Sequence, residues 1–332
     1  MPRLKQSLIT ALKLALSFGV ILWMIMTDKL PLGELKSLFE PGVLIFGLMS
    51  VAMALLIAAE RWRALLLSQG FQVERAATYR MTLVGTFFSY FLPGGVGGDV
   101  VKAYYVVKNL GERRAQAVGT VVFDRLIGLF TMILFALITS LVEYEILLQH
   151  PALKSFILLL AGLFVAFLAV FWLMWSRRTS QLRDAWLKRL ERINFVHQAL
   201  FRLNQFQLRK MAFVRIVALS LLSQSFSLLF FITIAPFMGE SAIPLSVFLF
   251  CVPLGFMATA IPISPGGIGV GQAAFLFLFN LVLARETQIG PLLITAYQLF
   301  TLAFGLIGAG LYVMQKTSPP PAPLFREESS SL

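Results

Sequence analysis

Charged residues are scarce in this chain. Only 13% of its 332 residues are Asp, Glu, Lys or Arg, whereas soluble domains carry roughly 25%. Hydrophobic residues make up 58%, the mean hydropathy is +0.82, and several apolar runs reach the ~20 residues that cross a bilayer core. This composition excludes an ordinary soluble domain and predicts an all-α polytopic membrane protein.

Cysteine and histidine are nearly absent. Cys251 is the one cysteine, and His150 and His197 are the two histidines. A single cysteine excludes a disulfide framework within the chain and a cysteine-based metal site. We therefore predict neither a metal ion nor another cofactor.

Three catalytic signatures are missing as well. The chain has no Gly-x-x-x-x-Gly-Lys-Ser/Thr, no His-Glu-x-x-His and no Gly-x-Ser-x-Gly, which are the motifs of P-loop ATPases, zinc peptidases and serine hydrolases. These absences favour a protein that is not an enzyme. An integral-membrane transferase that uses Asp99 and Asp124 is left open.

Positive charge is present in excess. The chain carries 28 Lys and Arg against 16 Asp and Glu, a formal net charge of +12. In a soluble protein this excess would indicate nucleic acid, but in a membrane protein basic residues collect in cytoplasmic loops. We therefore predict no nucleic-acid partner. The predicted cytoplasmic segments are the N-terminus, 60–80, 102–114, 176–212 and the tail, and the predicted external loops are 27–41, 142–152, 238–243 and 285–290.

Hydropathy predicts six full spans, at about 8–26, 43–59, 117–141, 153–175, 213–237 and 290–314. The first follows Arg3 and Lys5 and has no convincing cleavage site, so it is interpreted as an uncleaved span. Segment 176–212 is either an amphipathic helix on the inner leaflet or a solvated connector. The tail 317–332 is rich in Pro and Ser and is predicted to be disordered.

Two stretches of glycine and proline interrupt apolar runs. One is Phe91-Leu92-Pro93-Gly94-Gly95-Val96-Gly97-Gly98-Asp99-Val100, and the other is Ile263-Ser264-Pro265-Gly266-Gly267-Ile268-Gly269-Val270-Gly271-Gln272. Proline lacks a backbone donor and glycine disfavours helix by about 1 kcal/mol relative to alanine, so each stretch breaks a helix. Broken backbone at membrane depth is tolerated only where protein or a water-filled cavity satisfies it. We predict a broken or re-entrant helical hairpin at each stretch, with full crossing and re-entry both open.

The two breaks occupy corresponding places in the two halves of the chain. Under the predicted topology, the halves 43–141 and 213–314 have opposite orientations in the membrane. Inverted repeats with a broken helix in each half are the architecture of many secondary transporters. We therefore predict one transmembrane domain, residues 1–316, whose inverted halves are linked by the basic cytoplasmic segment 176–212.

The first break carries charged candidates for a binding site. Together with the start of the next helix, its glycines would direct backbone N–H groups at an anion such as phosphate; these are Gly94, Gly95, Gly97 and Gly98. Lys102 lies one turn beyond Asp99 and would neutralise the anion. The alternative is that Asp99 caps its helix and pairs with Lys102 or Arg125.

Asp124 and Arg125 lie inside a predicted span. Ionisable groups there cost about 2.5–3.5 kcal/mol each on insertion scales, so they usually face the protein interior and mark function. The alternative is that both side chains extend to the inner interface. Adjacent helical residues point about 100° apart, so we expect the two to face different partners. Arg61, at the end of span 2, is either an interfacial anchor or a further phosphate ligand.

The second break is uncharged. Gly266, Gly267 and Gln272, together with Ser264, offer only neutral polar groups. We predict that this break holds a neutral headgroup such as a sugar or serves only as a gate.

These motifs resemble the lysylphosphatidylglycerol synthase transmembrane-region family. The resemblance rests on Phe91–Ala103, Asp124–Gly128 and Pro265–Gly269, and it covers roughly residues 8–315. The family's charged motif positions hold Asp99, Lys102, Asp124 and Arg125. Larger members carry a cytosolic aminoacyl-transferase domain, which we expect to be absent here. The resemblance therefore implies lipid translocation in the bacterial cytoplasmic membrane, with both termini cytoplasmic, and not aminoacyl transfer.

The combined prediction is a lipid transporter of the flippase type. Its partner would be a membrane lipid with an anionic headgroup, either a phospholipid or a polyprenyl-phosphate-linked lipid, moved between leaflets. The alternative is a membrane enzyme or accessory subunit of lipid-linked glycan or cell-envelope synthesis. A lipid-binding assembly factor, a homodimer and a partner in envelope synthesis are also left open.

Overall fold

Helices account for nearly all of the described chain. A computed structural model describes residues 19, 21–27, 29–91, 97–109, 114–142, 151–175, 210–240, 242–261, 264–317 and 325–326. Within these ranges the α-helices are α1 Pro41–Ser68, α2 Arg75–Phe91, α3 Gly97–Asn109, α4 Arg114–Val142, α5 Pro151–Trp175, α6 Lys210–Ile234, α7 Leu245–Ala260, α8 Val270–Leu283 and α9 Ile289–Thr317. Shorter 3₁₀ helices cover Leu32–Phe39, Ala235–Met238 and Pro265–Gly267.

Six described segments are long and apolar enough to cross a membrane, namely Pro41–Ser68, Gln116–Leu141, Lys154–Trp172, Lys210–Met238, Pro265–Leu283 and Ile289–Met314. Five of them coincide with predicted spans, and Pro265–Leu283 contains the second break. The all-α polytopic prediction is therefore confirmed. Most of the predicted span 8–26 lies outside the described residues. The part of it that is described, residues 19 and 21–26, is helical. Most of the basic segment 176–212 also lies outside them.

Two residues of the tail, which is predicted to be disordered, form a strand in a small antiparallel sheet. Strand β1, Gln72–Val73, pairs with strand β2, Phe325–Arg326. An extended segment presents backbone donors and acceptors to any other extended segment, whatever its composition. This pairing orders two residues that composition alone places in a disordered tail. The tail on either side of β2, residues 318–324 and 327–332, lies outside the described residues.

Helices α1 and α6 form the central pair and run antiparallel. The Ser223 Oγ donates to the Ala54 carbonyl at 2.9 Å, and the Arg61 Nη1 donates to the Ser220 Oγ at 2.8 Å. Further along α1, Leu65 shares an apolar cluster with Ile216. As the residue number rises along α1 it falls along α6, so the two helices point in opposite directions.

Several other helix contacts in the first half of the chain have a counterpart between the corresponding helices of the second half. Helix α2 packs on α9 as α7 packs on α4, the pair α2 and α3 matches α7 and α8, and the contact of α3 with α4 matches that of α8 with α9. An internal repeat produces such matched contacts. The antiparallel α1 and α6 are what an inverted repeat requires, although the boundaries 43–141 and 213–314 stay a prediction.

The four helices that flank the breaks are short. Helices α2, α3, α7 and α8 have 17, 13, 16 and 14 residues. At a rise of 1.5 Å per residue the longest extends about 26 Å, less than the ~30 Å of a bilayer core. Re-entry of each hairpin stays a prediction, since residues 92–96 at the first turn lie outside the described residues.

Candidate functional site

A cavity of about 420 Å³ lies where the two halves meet. Its lining combines charged residues of α1, α3 and α4 with neutral residues from the second half of the chain. The charged ones are Arg61, Asp99, Lys102, Asp124 and Arg125, and the neutral polar ones include Ser223, Gln224, Ser227, Thr259, Tyr297 and Gln298. Residues separated by much of the chain therefore share one site.

Arg61 and Asp124 form the buried ion pair of this cavity. The Arg61 Nε lies 2.7 Å from the Asp124 Oδ1, and the two side chains are 12% and 9% exposed. The Arg61 Nη1 also donates to the Ser220 Oγ. Nearby, the Trp62 Nε1 donates to the Thr120 Oγ1 at 3.2 Å, which fixes α1 beside α4. The Arg61 guanidinium is therefore held in place at the cavity by Asp124 and Ser220.

Lys102 and Arg125 complete the charged lining. The Lys102 Nζ lies 3.9 Å from the Asp124 Oδ2 and 4.9 Å from the centre of the Trp62 ring. The Arg125 Nη1 lies 3.1 Å from the Asp99 Oδ2. Three cations therefore face two carboxylates, and the lining has an excess of one positive charge. The 3.9 Å contact of Lys102 is the longest of these ion pairs.

Asp124 and Arg125 face different partners, as their adjacency on a helix predicts. Asp124 contacts Arg61 and Lys102, whereas Arg125 contacts Asp99. All five side chains nevertheless line the same cavity, because the partners come from different helices. Among the described residues, no group of three or more His, Cys, Asp or Glu is arranged to hold a metal ion.

The second break contacts the end of α2, the helix that leads into the first break. Gly266 has a φ of +58°, and a Cβ added there would lie 2.7 Å from the Tyr90 ring at the end of α2. The Tyr90 hydroxyl donates to the Gln298 carbonyl at 3.1 Å. Glycine at 266 therefore permits both the left-handed backbone and the close approach of the aromatic ring.

The lysylphosphatidylglycerol synthase TM region family model matches residues 10–309. The chain belongs to this family. No curated protein and no solved structure matches it significantly. Membership in this family indicates a membrane protein of lipid-related function.

Of the described glycines that the sequence assigns to the site, one lines the cavity and the others pack elsewhere. Gly98 packs against Gly85 at a distance where a Cβ would lie 2.6 Å from the Gly85 carbonyl, and its N–H already donates to the Ser89 Oγ. Gly97 is buried, and Gly267 packs on Thr259. Gly266 lines the cavity, while Gly94 and Gly95 lie outside the described residues.

Gln272 lies behind the cavity lining. It is 1% exposed, and its Oε1 accepts from the Gly269 N–H at 2.7 Å. Its Nε2 donates to the Gln298 Oε1 at 2.7 Å and to the Thr295 Oγ1 at 3.1 Å, and the Gln298 Nε2 donates to the Gly266 carbonyl at 3.2 Å. The contacts of Gln272 therefore hold the second break in shape.

Sequence reasoning did not identify the polar residues of α6 and α9. Ser220, Ser223, Gln224 and Ser227 recur at spacings of three and four on the mostly apolar α6, which places them on one face. That stripe was the available signal. Tyr297 and Gln298 form an adjacent pair without a motif, and only the fold brings them to the site.

Replacing Gln272 with leucine is expected to lower the free energy of unfolding by about 1–3 kcal/mol, because the buried partners of its amide lose their hydrogen bonds. Thermal unfolding of the detergent-solubilised protein measures this. The exposed Gln288 provides the matched control, since Gln288→Leu is expected to change the melting temperature little. Equal melting temperatures for the two variants would contradict the role of Gln272 as the holder of the break.

Proposed function

We propose that this protein translocates a lipid with an anionic headgroup between the leaflets of the bacterial cytoplasmic membrane, with both termini in the cytoplasm. The observation that carries the proposal is the cavity between the two broken-helix regions, where three cations face two carboxylates. Ionisable groups inside a membrane domain are costly and usually serve function. An uncompensated positive charge there favours an anion such as a lipid phosphate.

The contacts of Arg61 and Lys102 suit the two cations to different roles in binding the phosphate. Arg61 is held by Asp124 and Ser220, so it presents a fixed charge. Lys102 has the loosest ion pair and a flexible stem, so it is the cation that can turn to the phosphate. The headgroup occupies the cavity while the acyl chains stay in the surrounding lipid.

Movement between leaflets requires the two broken regions to separate on one side. In the described state Tyr90, at the end of α2, packs on Gly266 of the second break, and both residues hydrogen-bond to Gln298 of α9. These contacts involve few residues, so their rearrangement leaves the central pair α1 and α6 intact. The second break serves as the gate in this scheme.

Lys102→Met is expected to slow lipid translocation by about 10–100-fold, because a hydrogen bond to a charged group contributes about 1.5–3 kcal/mol. The measurement is the rate at which acyl-labelled phosphatidylglycerol becomes accessible to dithionite in reconstituted vesicles. Lys154→Met removes one positive charge from an exposed position of α5 and is the matched control. Arg125→Ala is expected to slow the rate as well.

Two outcomes overturn different parts of the proposal. A wild-type rate no higher than that of protein-free vesicles would overturn translocation itself. Equal rates for wild type, Lys102→Met and Arg125→Ala would overturn the assignment of the cavity as the headgroup site.

One observation favours a second candidate, a membrane enzyme or accessory subunit of lipid-linked glycan or cell-envelope synthesis. Asp99 and Asp124 line the same cavity, as two catalytic carboxylates would. Both are engaged in ion pairs, which favours binding over catalysis. Mass spectrometry of lipid extracts incubated with the purified protein decides between them, since an enzyme yields a product that Asp99→Asn fails to make.

A further inference from the structure

The segment that joins α1 to α2 carries the strand on which the tail pairs. This link, residues 69–74, lies between Ser68 at the end of α1 and Arg75 at the start of α2. Gly70 has a φ of +76°, and β1 follows it and pairs with β2 of the tail. Helices move as rigid elements, and the few residues between them absorb the change in backbone dihedrals. The link is therefore the segment that must change conformation if α2 swings relative to α1.

Val73 connects the link to the charged cavity. Its side chain is 5% exposed and belongs to an apolar cluster with Trp62 and residues of α2, α3 and α4. Its carbonyl accepts from the Arg63 Nε at 3.1 Å, and its backbone is in register with Phe325 of β2. The Trp62 ring in turn lies 4.9 Å from the Lys102 Nζ. The backbone that pairs with the tail is thus joined, through one packed cluster, to a cation of the cavity.

The tail reaches the link from the opposite half of the chain. Strand β2 follows α9, which ends at Thr317, so the pairing joins the second half to the link at the start of α2. At the other end of α2, Tyr90 packs on Gly266 of the second break. Separating Tyr90 from Gly266 requires α2 to swing. The β1–β2 pairing therefore holds the segment whose conformation that swing must change.

The pairing is short enough to be released. It consists of Gln72 opposite Arg326 and Val73 opposite Phe325. A two-stranded pair by itself is marginally stable in water. While it is formed, however, it keeps two residues of the six-residue link in extended backbone conformation. Such a contact suits a reversible restraint better than a permanent part of the core.

We infer that the α1–α2 link is a docking surface for an extended segment, that the chain's own strand β2 is its occupant, and that this pairing restrains the swing of α2. Release of β2 then speeds the opening of the cavity. The inference rests on the proposed translocation for its effect on lipid movement. Its effect on access to the cavity is independent of which ligand the cavity binds.

A pair of double variants tests the restraint. Phe325→Pro/Arg326→Pro removes both backbone donors of β2, because proline has no N–H, whereas Phe325→Ala/Arg326→Ala keeps them. The proline variant is expected to move acyl-labelled phosphatidylglycerol about tenfold faster than wild type in reconstituted vesicles. This factor corresponds to about 1.4 kcal/mol, the size of one net backbone hydrogen bond. The alanine variant is expected to stay close to wild type, and equal rates for the two variants would overturn the inference.

A disulfide between the two strands provides the converse test. Gln72 and Arg326 are register partners, and Cα atoms of antiparallel partners lie about 4.5–5.5 Å apart, which a disulfide can bridge. The one native cysteine, Cys251, is 0% exposed and does not compete. Oxidised Gln72→Cys/Arg326→Cys is expected to translocate at least about tenfold more slowly than the reduced protein, with Gln72→Ser/Arg326→Ser as the control for the redox reagents. Failure to form the disulfide would overturn the docking, and a disulfide without slowing would overturn the restraint.

A cysteine in the cavity separates this inference from the proposed function. Ala58 lines the cavity, and the reaction of Ala58→Cys with a maleimide in detergent reports access without any lipid movement. Adding Phe325→Pro/Arg326→Pro is expected to raise the reaction rate about tenfold, and adding Phe325→Ala/Arg326→Ala to leave it nearly unchanged. This contrast supports the inference even if wild type moves no lipid, an outcome that overturns translocation alone. Equal reaction rates for the two combinations would overturn the inference whatever the vesicle assay shows.

Discussion

Replacing Arg61 with alanine is expected to lower the free energy of unfolding by roughly 3–5 kcal/mol, because it leaves the buried Asp124 carboxylate with only a distant cation. Asp124 is 9% exposed, and its remaining partner, Lys102, lies at 3.9 Å. We also expect lipid translocation to be lost. Thermal or denaturant unfolding in detergent measures the first effect, and the vesicle assay measures the second.

The double variant Arg61→Met/Asp124→Leu separates folding from function. Replacing both members of a buried ion pair with apolar residues of similar size is often neutral. Lys102 also loses its carboxylate partner in this variant, so part of the lost stability is expected to return while translocation stays absent. Arg285→Ala is the control, because it removes an ion pair of similar length that is more exposed. Its ion pair with Glu240 is 2.6 Å long, but the side chains are 52% and 22% exposed, so the expected loss is below about 1 kcal/mol. Equal destabilisation by Arg61→Ala and Arg285→Ala would contradict the importance of burial.

Replacing Gly308 with valine is expected to destabilise the protein by about 3 kcal/mol or more, at the upper end of overpacking effects. A Cβ on Gly308 would overlap the Leu83 carbonyl, which belongs to the backbone of α2. Gly305 also approaches α2, where a Cβ would lie 3.2 Å from the Phe87 Cα. Small residues permit such close helix crossings in membranes, and neither backbone can move without separating α2 from α9.

Gly310 supplies the matched control for Gly308. It lies on the same helix, and a Cβ added there would meet nothing within 4 Å. Gly310→Val changes helix propensity in the same way, so the difference between the two variants isolates the crossing of α2 and α9. Melting temperatures of the purified variants in detergent are compared. A Gly308→Val protein as stable as Gly310→Val would show that the two helices are not packed as described.

Much of the fold follows from local pattern. Apolar runs predict helices such as α4 and α9 because the bilayer demands both their length and their composition. The breaks are visible because proline and glycine act on their own backbone, whatever surrounds them. The charged residues around Asp99 and Asp124 are conspicuous as candidates because charge is expensive inside a span.

The partners of those residues follow from no local pattern. Arg61 is typical of an interfacial anchor in the sequence, yet it contacts Ser220, which lies 159 positions further along the chain. Gln272 is typical of a ligand in a glycine-rich loop, yet its amide holds Gly269 and Gln298. The contacts of Arg61 and Gln272 depend on which helix faces pack against each other, and hydropathy predicts that packing only weakly.

The sequence by itself determined the class of the protein, the positions of its spans and breaks, and the concentration of charge in its first half. These properties act within a few residues, through backbone chemistry and transfer from water to lipid. Only the tertiary structure decided that the second break packs on the end of α2 beside one cavity, that the charges there leave an excess of one cation, and that α6 and α9 complete the lining. Those features require helices from both halves of the chain to pack together, and such long-range contacts exist only in the fold.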